Sequence, residues 1–353
     1  MTIFLTSSDL TDTQAAIGDN IMTKKLLITG ARERPNGFEL GDGKIYDAAL
    51  FVRLNLDSGE TETLIEKTDA GPHYPDEHPN LQFTSGYIQG SSIWLPTDTE
   101  IYKIKYPSLA IESVISHPCF QNIHSAHILE GLLWVTSTGL DMVIAIDPRS
   151  GEIVQQYNAE HKPLWHRFSP DVDYRKIHST RPHACHPNFV FLHDTEYWVT
   201  RCTQEDAVTI NAPVKRINIS GIDKAISVHD GIVIGDNCYF TSVDGCLVIA
   251  DIPTQKVVDT IDICKRHNLG RLGWCRGLHI EDSIAYLGFS SIRRTRQSRK
   301  LSWLGDNFNR VLGKPAAIVA YDLKKDNVLR KYVLRKDSLG AIYSVLPEPP
   351  RGI

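Results

Sequence analysis

Four residues, each opening an apolar, strand-like run, carry the chemistry on offer in this chain of 353 residues: His124, His186, His229 and Arg276. Three imidazoles on separate strands can bind a divalent transition metal through neutral ring nitrogens and leave positions open for water or substrate. Iron, zinc, manganese and copper are all acceptable to such a set. The same imidazoles with Arg276 can instead grip a sulfate, phosphate or carboxylate, one histidine serving as nucleophile or general acid–base. Residue type alone does not separate the two uses. Arg276 favours an anionic substrate group, because a guanidinium keeps its charge and repels a bare cation unless a ligand lies between them.

On this basis His124, His186 and His229 are the expected metal ligands, and His186, Arg276 and Tyr343 the expected catalytic residues. Arg276, Thr84, Asn188 and His183 are the expected substrate contacts, the last two doubling as supports for His186, since a ligating histidine needs its other nitrogen held. His127 and His279 follow three residues after His124 and Arg276 and are expected to pack within their own repeats. GxGxxG, Walker and GxSxG patterns are absent, so no nucleotide cofactor is expected and no serine elbow is present.

The elements that position these residues come from internal repetition. The clearest copy runs from His124 through a turn at Glu130-Gly131, then Leu132 to Ser137, then Met142 to Asp147, a turn at Ser150-Gly151, and Glu152 onward. Four short strands joined by hairpins explain that order. It returns at His229 to Ile261 and at Arg276 to Val333, with weaker versions at Phe83 to Val114 and Phe189 to Ile226. Alignment on the second strand, with Trp134, Trp198, Tyr239 and Tyr286 as packing anchors, puts His124, His229 and Arg276 at one equivalent position. His186 joins them once the longer turn at residues 193–196 is allowed for.

The sixth unit is split between the ends. Lys25 to Gly30 and Leu50 to Asn55 read as outer strands without an inner one, which Ala341 to Leu346 can supply. Closing a ring this way removes exposed sheet edges. The expected fold is therefore all-β, a propeller of six four-stranded blades spanning residues 24–353, preceded by a tail or edge strand at 1–23. In such a ring the start of each innermost strand lines the channel, so the four residues converge on one volume. Two insertions interrupt the pattern, at 162–181 and 291–314, and loops of that length often serve function.

Bulk properties narrow the partners. With 42% hydrophobic and 23% charged residues the chain can bury a core, and a net charge of -4 gives no general attraction to nucleic acid or anionic lipid. No apolar run approaches the roughly 20 residues of a membrane helix, and residues 1–20 lack the order of a signal peptide, so a cytoplasmic location is expected. Seven scattered cysteines without a CxxC pair read as reduced, packed thiols. Cys185 and Cys275 adjoin channel positions, and strand alternation turns them into the repeats.

Taken together, the His124 unit, His186-Pro-Asn with Tyr197-Trp-Val-Thr, the Val228-His229 unit and Cys275-Arg276-Gly-Leu resemble a family of uncharacterised bacterial propeller-like proteins, from about Leu81 to Pro349. That family often has His-Leu-Asn where this chain has His186-Pro-Asn, and the resemblance implies no activity. A looser likeness, in architecture alone, is to six-bladed arylsulfate sulfotransferases with central histidines and an arginine. The leading expectation is a small-molecule enzyme of metal-dependent or histidine-based group-transfer or lyase chemistry, with Arg276 fixing an anionic substrate. The alternative is a non-catalytic propeller that binds a ligand or protein, with the basic loop at residues 293–300 as a contact.

Overall fold

The computed structural model describes residues 24–219, 227–293, 312–335 and 339–349. Among them, six four-stranded antiparallel sheets form the blades of a β-propeller. Blade 1 is closed from both ends of the chain: Ala341–Pro347 is innermost, followed by Lys25–Glu33, Tyr46–Asn55 and Thr61–Lys67. The pairing runs from Leu26↔Pro347 to Ala31↔Ala341, so backbone hydrogen bonds close the ring. Blades 2 to 6 begin with the inner strands Tyr87–Gln89, Ile123–Leu129, Pro187–His193, Val228–Ile234 and Trp274–Glu281, and each proceeds outward in sequence order.

These segments form strands because both faces of a blade are covered by neighbouring blades, which favours continuous apolar runs over strict alternation. Met142–Ile146 is buried at every position. The outermost Ala110–Ile115, by contrast, is exposed at five of its six residues. The core is accordingly a ring of clusters, one at each blade junction. Leu26 and Ile342 meet Ile318 between blades 1 and 6, and Trp134 and Val143 meet Val190 and Val199 between blades 3 and 4. Remaining junctions are packed in the same way. Trp134, Trp198 and Tyr286 are buried as the expected anchors, and Cys185 and Cys275 face into the blades with no exposed surface. All seven cysteines are free thiols.

Hairpins supply the reversals. Glu130 and Gly131 both take positive φ, 47° and 80°, as a two-residue turn between right-twisted strands requires. The insertion at residues 162–181 packs over one end of the channel: Arg175 donates to His73 and Ser116, Lys176 to the Tyr74 carbonyl, and Gln121 to the carbonyls of Ile177 and His178. The expected tail at residues 1–23 and most of the second insertion lie outside the described residues. No helix among the described residues is long and apolar enough to cross a membrane.

Candidate functional site in the channel

The inner strands do not begin regularly, and that irregularity aims the side chains. Pairing with the second strand slips between Ile123 and Ser125 in blade 3, between Pro187 and Val190 in blade 4, between Val228 and Gly231 in blade 5, and between Cys275 and Leu278 in blade 6. A bulge places an extra residue opposite one partner and re-aims the chain locally. His124, Asn188, His229 and Arg276 all fall within these slips, and His186 immediately precedes one.

The result is a cavity of about 90 Å³ whose lining includes His124, His183, His186, His229, Arg276 and Tyr343. The His124 ring lies 4.8 Å from His186, 5.3 Å from His229 and 6.2 Å from Tyr343, centroid to centroid. His183 stacks on His186 at 4.8 Å, with the two Nδ1 atoms 2.6 Å apart, so one ring donates to the other. On the far wall His229 Nδ1 meets Asp230 Oδ1 at 2.6 Å, both residues buried. Burial pushes the Asp230 carboxyl well above the usual range, against the Arg276 charge and a hydrogen bond from the Leu278 amide. Asn188 lines the cavity and donates through Nδ2 to the Val228 carbonyl at 3.1 Å.

His186 has a left-handed backbone, φ 56°. For a residue with a Cβ this conformation costs roughly 1–2 kcal/mol. A buried carboxylate offsets it: Asp141 accepts the backbone N–H groups of Ala184, Cys185 and His186 at 2.9–3.0 Å and pairs with Arg167 at 2.8 Å.

Not every expected residue is in the cavity. Thr84 is buried beneath the Pro96 carbonyl, 3.4 Å from its hydroxyl, and does not line the site. The inner strand of blade 2 begins only at Tyr87, three residues later than the repeat spacing suggests, and Gln82 takes the channel position. Gln82 bridges the Tyr343 hydroxyl, which it accepts, and Asp98, to which its amide donates. Burial raises Asp98 to about 6 despite the Asn80 and Gln82 donors, and burial also raises the Tyr343 phenol. His127 and His279 belong to a second, apolar cavity of about 260 Å³ further along the channel. There the His127 ring packs 4.3 Å from Phe189, and burial lowers its pKa to about 3.

Four further cavity residues were not legible from the repeats. Arg293, expected to open a basic surface loop, instead lines the cavity and donates through Nε to the Tyr46 hydroxyl at 3.3 Å. The other basic residues of that loop, 294–300, lie outside the described residues. Trp274 lies beneath two guanidiniums, those of Arg276 at 5.5 Å and Arg293 at 5.0 Å. Burial alone would raise the Tyr46 phenol, but the Arg293 and Arg276 charges outweigh it and bring the net shift below normal. Arg181 lines the mouth, 3.8 Å from Asp42.

Among the described residues, no group of three or more His, Cys, Asp or Glu side chains is arranged as a metal site. No family model and no curated protein matches the chain. Solved structures do. A protein of unknown function from Bacteroides caccae superposes with a TM-score of 0.59 at 14% identity, covering 92% of this chain and 98% of that one. A chain of a nidogen/laminin complex superposes at 0.53 with 9% identity, covering 91% and 97%. At such identities the likeness is one of fold, and it places this chain among the six-bladed β-propellers.

Proposed function

We propose that the channel is the active site of a small-molecule enzyme that holds an anionic substrate on Arg276 and moves a proton through the surrounding imidazoles. The observation that carries this reading is the state of Arg276. Its Nε and Nη1 are buried and have no hydrogen-bond partner among the described residues, in a side chain that lines the cavity beside the histidines. A buried guanidinium N–H left unmet is costly, and an incoming carboxylate, phosphate or sulfate oxygen would meet it. His229 and His186 each have Nδ1 engaged, by Asp230 and His183, so proton exchange with a ligand falls to Nε2. An imidazole oriented through one nitrogen and reactive through the other is the arrangement general acid–base catalysis uses.

The same Nδ1 contacts favour a second reading, because a metal-ligating histidine is also held through its remote nitrogen. His124, His186 and His229 would then hold the metal through their remaining ring nitrogens. Elemental analysis and anion titration of the purified full chain separate the two. Acetate, phosphate or sulfate binding that is lost in Arg276→Gln and does not follow metal content supports the anion site. Stoichiometric metal that is lost in His186→Ala supports the metal site. If neither anion nor metal binds, the enzymatic reading fails and the channel is scaffold.

A further inference from the structure

Charge in the cavity is unbalanced in a way that bears on the substrate. Its cationic side chains are Arg181, Arg276 and Arg293, and its carboxylates are Asp42 and Asp98. Asp42 lies beside Arg181. Asp98 is occupied by the amides of Asn80 and Gln82. Asp230, behind His229, makes its contact with that ring; it acts on Arg276, and Glu33 acts on Arg293, only through longer-range charge, neither forming an ion pair among the described residues. These two guanidiniums rest on aromatic surface, Tyr343 and Trp274 for Arg276 and Tyr46 and Trp274 for Arg293, at 5.0–5.5 Å, and Arg293 also donates through Nε to the Tyr46 hydroxyl, which leaves its terminal nitrogens for a ligand. Stacking fixes a guanidinium through its face and leaves the in-plane N–H donors for an anion. Both guanidiniums share the Trp274 ring, so they lie on one stretch of wall and within about 11 Å of each other, by the sum of the two ring distances.

We propose that Arg293 is a second anion clamp and that the substrate is a small dianion, its two negative charges divided between Arg276 and Arg293. This rests on the anion reading of the site and adds the charge number. Two forms share that chemistry, a dicarboxylate with separated groups and a phosphate-type dianion with both charges on one group.

The test is calorimetric titration of the full chain, at one ionic strength, with acetate, succinate, malonate and inorganic phosphate. The wild type should bind at least one dianion tenfold or more tightly than acetate. Preference for a dicarboxylate indicates separated charges, and preference for phosphate a single doubly charged group. In Arg293→Gln the dianion-to-acetate ratio should collapse towards one, and Arg293→Lys should restore part of it. An unchanged ratio in a folded Arg293→Gln overturns the proposal. Anion binding that depends on Arg276 but shows no dianion preference leaves the function standing and removes this inference, whereas binding unaffected by Arg276→Gln removes both.

Discussion

Thr241 Oγ1 donates to the backbone carbonyl of Arg276 at 2.7 Å, tying the second strand of blade 5 to the bulge that presents the arginine. The contact repeats around the ring. Thr136 donates to the Asn188 carbonyl, Thr200 to that of His229, and Ser290 to that of Ile342. Blades 3 to 6 thus each hand a buried hydroxyl to the next blade's inner strand, at or beside a channel residue. Bulged backbone cannot satisfy all its carbonyls within its own ladder, and these hydroxyls complete them.

Replacing Thr200 or Thr241 with valine keeps shape and removes the donor, leaving a buried carbonyl unmet. Each substitution should lower stability by about 1–2 kcal/mol, read as a fall in Tm. Arg276 presentation should suffer more in Thr241→Val than in Thr200→Val. Anion titration checks this: equal loss of affinity in the two variants would mean that the hydroxyls support the fold without positioning the site.

The ring itself was legible in the sequence, because hairpin turns and apolar runs recur in the same order and the split unit had an evident partner at the other terminus. Convergence of His124, His186, His229 and Arg276 followed from the same register. Blade 2 was harder to place, since its three-residue inner strand, Tyr87–Gln89, is too short to show periodicity, and Gln82 rather than Thr84 reaches the channel. Arg293 and Tyr46 lie outside the equivalent position altogether, one after the second strand of blade 6 and one at the start of the third strand of blade 1, so no repeat alignment finds them. The hydroxyl ring did leave a trace, as Trp134-Val-Thr136, Trp198-Val-Thr200 and Tyr239-Phe-Thr241 share one pattern. The aromatic packs and the threonine caps.

His127 makes a pH prediction. Its folded pKa of about 3 lies below the ordinary 6.5 because burial disfavours the cation. The unfolded chain therefore binds a proton between those values while the folded chain does not, and stability falls as pH drops from about 6.5 towards 3. The full effect is on the order of 5 kcal/mol. Asp98 opposes it. Its carboxyl is raised from 3.8 to about 6, so the folded state binds the proton more tightly and gains stability as pH falls through that range, by roughly 3 kcal/mol at most. Between about pH 6 and 3.8 the two slopes are equal and opposite, so the loss due to the histidine shows only between about pH 6.5 and 6 and again below 3.8. His127→Phe, which suits the Phe189 and Tyr87 surroundings, should leave Asp98 unopposed, so that urea-unfolding stability gains on the wild type as pH falls from 6.5 to 4. An unchanged pH profile in that variant would show that the ring is hydrated.

Asp141 should be the most sensitive residue outside the cavity wall. Its carboxylate accepts three successive backbone N–H groups ending at His186 and also pairs with Arg167, all with about 1% of its side chain exposed. Removing it strands those three buried donors, at a cost of about 3 kcal/mol or more, while the partly exposed Arg167 keeps the Pro182 carbonyl. Nothing then offsets the left-handed backbone at His186, so the loop relaxes and the His183–His186 contact opens. Asp141→Ala should therefore lower Tm by more than either threonine variant does. In the protein that remains folded, the imidazole signals of His183 and His186 should shift in NMR spectra while those of His127 and His279, in the separate apolar cavity, stay in place. Asp141→Asn keeps one oxygen acceptor and should fall between the two. If all four histidines moved together, the carboxylate would be stabilising the ring as a whole and not setting the position of His186.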